Sequence, residues 1–199
     1  MAIQNATIYQ FVDGLSRVDP LTGLLNRREF DRRLNQEVAR SQRTGQPLSL
    51  VMIDTDHFKK INDRLGHQEG DRVLQQLARL ILLVPRLPED AAFRVGGEEF
   101  AVLMTQTEQS RAIASADSLR RIVERTKFFD EGAWLTISLG VAATPEDSQT
   151  LAGLVQAADG AALPGKVGWS EPGAGGLTEI SLRPAAHRDL RCHASLCTS

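Results

Sequence analysis

Cysteine is almost missing from this chain of 199 residues: only Cys192 and Cys197 occur, both in the last eight positions, where a bridge would constrain almost nothing. A disulfide-stapled secreted scaffold is thereby excluded, and a reducing cytoplasm is the expected location. Long apolar runs are lacking too. The longest, Leu48 to Ile53 with Ser49 inside it and Leu80 to Val84, fall far short of the ~18 residues of a membrane span. The first twelve residues hold no Lys or Arg and no apolar block, which argues against a secretory leader. Nor is one sign of charge in excess. Lys plus Arg number 23 against 25 Asp plus Glu, a formal net charge of −2. No broad basic field exists for nucleic acid or an anionic membrane, so any anionic ligand must be gripped locally.

What is present is material for a packed core. Hydrophobic residues make up 42% and charged residues 24%, ordinary for a globular chain, and the length suits one domain with a short extension. Apolar spacing predicts a helix over Ala6 to Leu15, then a loop at Pro20 and Gly23. Asn26 is placed to cap a helix reaching Thr44, with Phe30, Leu34 and Val38 on one stripe and Gly45-Gln46-Pro47 ending it. Leu48 to Thr55 reads as a buried strand. A polar, glycine-punctuated stretch follows, then a helix from Asp71 to Val84, broken by Pro85 and Pro88. Ala91 to Val95 and Glu99 to Thr105 read as strands around the Gly96-Gly97 turn. Next come a helix over Glu108 to Lys127 with Ile113, Ala116, Leu119, Ile122 and Val123 inward, a strand over Trp134 to Ala142, and a helix over Gln149 to Ala162.

From residue 48 the order is β-α-β-β-α-β, the split arrangement of ferredoxin-like domains. The expected class is α+β, with helices packed on a mainly antiparallel sheet. From Pro164 the periodicity fails amid prolines at 164, 172 and 184, so residues 164–199 read as an irregular tail, with Leu177 to Leu182 a possible edge strand. Cys192, His193 and Cys197 within it are too loosely spaced to argue for a metal site.

The topology has a chemical consequence. The third strand is inserted antiparallel between the first two, so Asp54 and Asp56 approach Glu98 and Glu99. Taken alone, the aspartates read as loop caps and the glutamates as solvated turn charges. Joined at one sheet edge, four repelling carboxylates favour a hard cation, and oxygen donors without His or Cys favour Mg²⁺ or Mn²⁺ over zinc. Just beyond lies Phe58-Lys59-Lys60-Ile61-Asn62-Asp63. A lysine beside a carboxylate-held metal suits a polyphosphate. An Asn amide with an Asp carboxylate matches a guanine edge, whereas adenine offers no imino proton. Each of these residues taken singly reads also as a helix cap or a surface charge.

Several stretches together carry a resemblance: Asp19-Pro-Leu-Thr-Gly-Leu, Asn26-Arg-Arg-Glu-Phe, Ile53-Asp-Thr-Asp-His-Phe-Lys-Lys-Ile-Asn-Asp, Gly66-His-Gln-Glu-Gly-Asp, Arg94-Val-Gly-Gly-Glu-Glu-Phe, Thr136-Ile-Ser-Leu-Gly-Val and Ala158-Asp159. In order and spacing, over residues 14 to 163, the chain resembles the GGDEF family of diguanylate cyclases. The resemblance implies a fold similar to nucleotidyl cyclase and polymerase palm domains, and condensation of two GTP into cyclic di-GMP with pyrophosphate release at a homodimer interface. It implies that Asp54 and Glu98, with the Thr55 carbonyl, hold the divalent ions, and that Glu99 assists deprotonation of the ribose 3′-hydroxyl and touches a metal. Gly96 and Gly97 then let the backbone approach the nucleotide. Phe58 and Lys59 contact phosphates, and Asn62 and Asp71 select guanine. The domain it implies spans 19–163, after a linker helix over 1–18 that in this family commonly connects to an upstream sensor.

Two departures stand out. The family's product-inhibition site is an Arg-x-x-Asp set. Asp90 fits it, but Leu87 stands at the Arg position and Arg86 is one residue out of register. In the tail, Lys166 keeps a phosphate-binding position, while Ser170 replaces the following Arg and Pro164 interrupts the helix that presents both. The rival expectation is therefore a catalytically impaired GTP-binding or protein-interaction module.

Overall fold

Asn26 caps a helix as its sequence suggests: the Asn26 carboxamide accepts from the Glu29 N–H at 3.1 Å. In the computed structural model, which describes residues 16–129, 135–145, 147, 148, 150–160, 162 and 163, α1 runs Arg27–Thr44. Gly45 ends it at φ 70°, a left-handed conformation that suits glycine. β1 (Leu48–Thr55) follows, then α2 (Phe58–Leu65), α3 (His67–Ile81), β2 (Ala91–Arg94), β3 (Glu99–Thr105), α4 (Gln109–Arg125), β4 (Ile137–Thr144), α5 (Leu151–Gly160) and β5 (Ala162–Leu163).

The sheet order is β2-β3-β1-β4-β5, every neighbouring pair antiparallel. The ferredoxin-like α+β expectation holds, with β3 between β1 and β2. Both faces are covered, which is why β1 reads as a nearly continuous apolar run rather than an alternation. Val51, Ile53, Phe100 and Val102 pack with Val73, Leu77 and Leu119 of α3 and α4. Leu48, Leu50, Ala101 and Leu103 pack with Phe30, Leu34 and Leu154 of α1 and α5. Alternation along β1 then puts Asp54 on the face shared with α1 and α5 and Thr55 on the opposite one.

Residues before α1 also belong to the domain. Asp19 accepts from the Thr22 N–H and hydroxyl at 2.8 and 2.6 Å, and Leu25 runs beside β2, accepting from the Arg94 N–H at 2.8 Å. Among the described residues no helix is long and apolar enough to cross a membrane.

Several expectations need correction. The polar stretch after β1 is helical, because Phe58 and Ile61, three residues apart, give α2 a buried side. α3 begins at His67 rather than Asp71 and stops at Ile81, leaving Leu82 and Leu83 exposed in the turn beyond. In α4, Ile113 and Ile122 are 38% and 39% exposed, and the inward stripe is Ala112, Ala116, Leu119 and Val123. β4 extends to Thr144 and α5 stops at Gly160, with residue 162 already in β5. The expected helix over Ala6 to Leu15, Trp134, Lys166, the possible strand over Leu177 to Leu182 and the two cysteines lie outside the described residues.

Candidate active site

The site is assembled where β1 ends and β3 begins. Asp54 and Glu99 are cross-strand partners, and Asp54 faces Ser138 of β4 on its other side. The Thr55 N–H and hydroxyl both donate to the Glu98 carbonyl, at 3.3 and 3.2 Å, so the residue carrying Glu98 is tied directly to the end of β1. The structure thus brings Asp54, Glu98 and Glu99 together. Asp54 still reaches solvent, yet its carboxyl is pushed up to about 6, first by partial burial and then by the charges of Glu98, Glu99 and Asp56.

Asp56 is less a member of this cluster than expected. Its two oxygens accept from the Thr136 and Ser138 hydroxyls, each at 2.7 Å, so it anchors the β1–α2 turn to β4. Among the described residues no group of three or more His, Cys, Asp or Glu is placed so that it could hold a metal ion. The donors that do meet are all oxygen, and the repulsion raising Asp54 is what a divalent cation relieves. The set therefore fits Mg²⁺ or Mn²⁺ in kind.

The glycines differ in what they do. A Cβ at Gly96 would lie 2.2 Å from the Glu99 Oε2, so the first glycine makes room for the protein's own carboxylate. Gly97 has open space around it, as a ligand-facing residue needs. The turn is held from outside. Arg94 donates to the Gly97 carbonyl at 2.7 and 3.2 Å and to Asp19 at 3.1 Å. Burial works against the Asp19 charge, but hydrogen bonds from Thr22 and Arg94 outweigh it and hold the carboxyl below its ordinary value. Sequence reasoning gave this pair no role, although Asp19 three residues before Thr22 is the spacing of a side-chain turn.

Beyond β1 the chain turns at His57, in the left-handed region at φ 58°, and enters α2 with no side-chain cap and no acidic residue in its first turn. Its leading N–H groups and the exposed Lys59 make a local anion-seeking end. The Phe58 ring is buried in the core, leaving its backbone for any ligand contact. On the next turn the Asn62 Oδ1 is buried and has no hydrogen-bond partner. It packs against Gly70, next to exposed Asp71. A cleft of about 110 Å³ between β1, β4 and α5 is lined by Asp54, Glu99, Ser138, Gly140 and, unforeseen as a wall, Asp159.

Asp90 lies elsewhere. It is 8% exposed, and its carboxylate accepts from the Arg86 and Leu87 N–H groups at 2.9 and 3.0 Å and from the Thr105 N–H and hydroxyl at 2.8 and 3.1 Å. Its acceptor capacity is spent on joining the loop before β2 to the end of β3.

The α+β fold, with Asp54 and Glu99 meeting on adjacent strand ends, is shared with solved GGDEF domains and is of the nucleotidyl cyclase type. A profile described as "Diguanylate cyclase, GGDEF domain" matches residues 16–166, and the chain belongs to that family. It is 38% identical over 128 residues to diguanylate cyclase DosC of Escherichia coli K12, covering 63% of this chain and 28% of that protein. It is 41% identical over 150 residues to the response regulator PleD of Caulobacter vibrioides, covering 73% and 33%. The coiled coil and GGDEF domain of DgcB from Caulobacter crescentus, solved with c-di-GMP, matches with a TM-score of 0.65 at 30% identity, covering 80% of this chain and 88% of that one. The chain spans about a third or less of the length of these curated relatives.

Proposed function

We propose that this chain carries the catalytic domain of a diguanylate cyclase, joining two GTP molecules into cyclic di-GMP with release of two pyrophosphates. The observation that carries the reading is the meeting of Asp54, Glu98 and Glu99 beside the uncapped, lysine-bearing start of α2. Asp54, Glu98 and the Thr55 carbonyl are the residues that would hold Mg²⁺ or Mn²⁺. When bound, such an ion neutralises phosphoryl charge and aligns the in-line attack. Glu99 takes the proton of the ribose 3′-hydroxyl. The Phe58 backbone and the Lys59 ammonium grip phosphate oxygens, with Lys166 as a further cation, while Asn62 and Asp71 read the guanine edge.

One protomer offers carboxylates for one nucleotide, so two protomers face each other and each 3′-oxygen attacks the other nucleotide's α-phosphorus. An upstream sensor, where one is joined to this domain, would set how often they meet. Product inhibition is weak, because Leu87 supplies no guanidinium and Asp90 is already engaged.

The test is a dilution series of the protein with saturating GTP and Mg²⁺, assayed for cyclic di-GMP. The expected result is product whose initial rate is nearly second order in dilute protein. GTP binding with no product at any concentration would instead establish the impaired binding module.

A further inference from the structure

α2 and α3 meet through Gly66, at φ 84°, and four residues into α3 lies Gly70, buried in the helix. Glycine is a poor helix former compared with alanine, so its presence there needs a packing reason. The structure supplies one. A Cβ at Gly70 would lie 1.9 Å from the Asn62 Oδ1, 3.0 Å from its Cγ and 3.2 Å from the Phe58 Cζ. The nearest group in conflict is the movable end of the Asn62 side chain rather than backbone, with the Phe58 ring edge a lesser second neighbour, so alanine is accommodated chiefly by displacing the Asn62 amide while the helix stays. That same Oδ1 is, among the described residues, the buried side-chain oxygen or nitrogen that lacks a hydrogen-bond partner.

We propose that Gly70 is a specificity-determining positioning residue: the space left by its missing side chain is the seat from which Asn62 presents its amide to a purine edge. The inference rests on the guanine reading above. An acceptor left unpaired in the free protein is completed by the N1–H and 2-amino donors of guanine when the amide turns about its terminal torsion, and it opposes the lone pair at N1 of adenine. A methyl group at residue 70 fills the seat and turns the amide away, so discrimination is lost without any change to a residue that touches the base.

The experiment measures equilibrium binding of the α,β-methylene analogues of GTP and ATP, which block the reaction, to the full chain in Mg²⁺. Gly70→Ala is expected to weaken the guanine analogue about tenfold and leave the adenine analogue within about twofold. In an Asn62→Ala background, where the conflict with the amide is gone and the Phe58 ring edge at 3.2 Å is the neighbour that remains, Gly70→Ala is expected to change neither. Equal weakening in both backgrounds, or an unchanged guanine preference in Gly70→Ala, overturns the proposal. If Asn62→Ala itself keeps the guanine preference, the guanine reading falls and takes this inference with it. Should Gly70→Ala alone be too unstable to titrate, the Asn62→Ala/Gly70→Ala double variant must melt higher than Gly70→Ala, and failure to recover overturns the proposal as well.

Discussion

Glu29 and Asp54 are both carboxylates of this small domain, and their surroundings drive them in opposite directions. Glu29, 3% exposed in the first turn of α1, is held at about 2, first by hydrogen bonding from Arg32, which outweighs its burial with the help of Arg33. Asp54 is pushed up to about 6 by burial and by three neighbouring carboxylates. The oxygens of Asp90, in the loop before β2, are likewise taken by hydrogen bonds from the backbone and Thr105 around them. A carboxylate that serves the fold is one the fold satisfies. At the strand ends carboxylate faces carboxylate, and the buried Asn62 acceptor has no hydrogen-bond partner, so the two kinds of site are told apart by how their polar groups are satisfied.

The sharpest way to test that contrast is to remove charge from each side. Glu99→Gln keeps the shape of its side chain and loses the base, and is expected to lower cyclic di-GMP formation by at least ~10²-fold while GTP binding and folding persist. Unchanged turnover would take Glu99 out of the chemistry. Asp90→Ala is expected to do the reverse. Stranding the Thr105 N–H inside the fold costs about 2–3 kcal/mol of stability in urea titrations, with product formation per folded molecule retained.

The smallest effect concerns Glu29. Its folded-state value is depressed from the ordinary 4.5 to about 2, so its stabilisation is fully present above the ordinary value and is lost as pH falls toward 2. Because Arg32 is half in solvent, the contribution is about 1–2 kcal/mol rather than the full linkage value. Glu29→Gln should therefore lower the melting temperature at neutral pH and converge with the parent in acid. Curves that stay parallel down to pH 2 would remove Glu29 from the stabilising side of the comparison.

The strand-end cluster was legible in the sequence because breakers delimit β1, β2 and β3, and the β-α-β-β order alone brings Asp54 to Glu98 and Glu99. α2 was not legible: over eight residues only Phe58 and Ile61 mark its buried side, too few to establish a period. Ile113 and Ile122 misled because alanines do the packing of α4, and the larger side chains drew the stripe around the wrong edge. The role of Asp90 depends on Thr105 at the far end of the neighbouring strand, a hydrogen bond no local pattern announces. Gly70 against Asn62 is harder still, since its content is a side chain that is not there.

The clasp from Asp19 through Arg94 to the Gly97 carbonyl joins residues 75 positions apart. Dissection of the molecule has to respect it. A fragment cut to begin at α1 would keep the five helices and five strands of the described residues in their order. It would nonetheless have discarded the outer buttress of the turn that carries Glu98. Asp19 and the loop ahead of α1 therefore have to stay with the sheet, and a library of shortened versions scored only for solubility would lose them unnoticed.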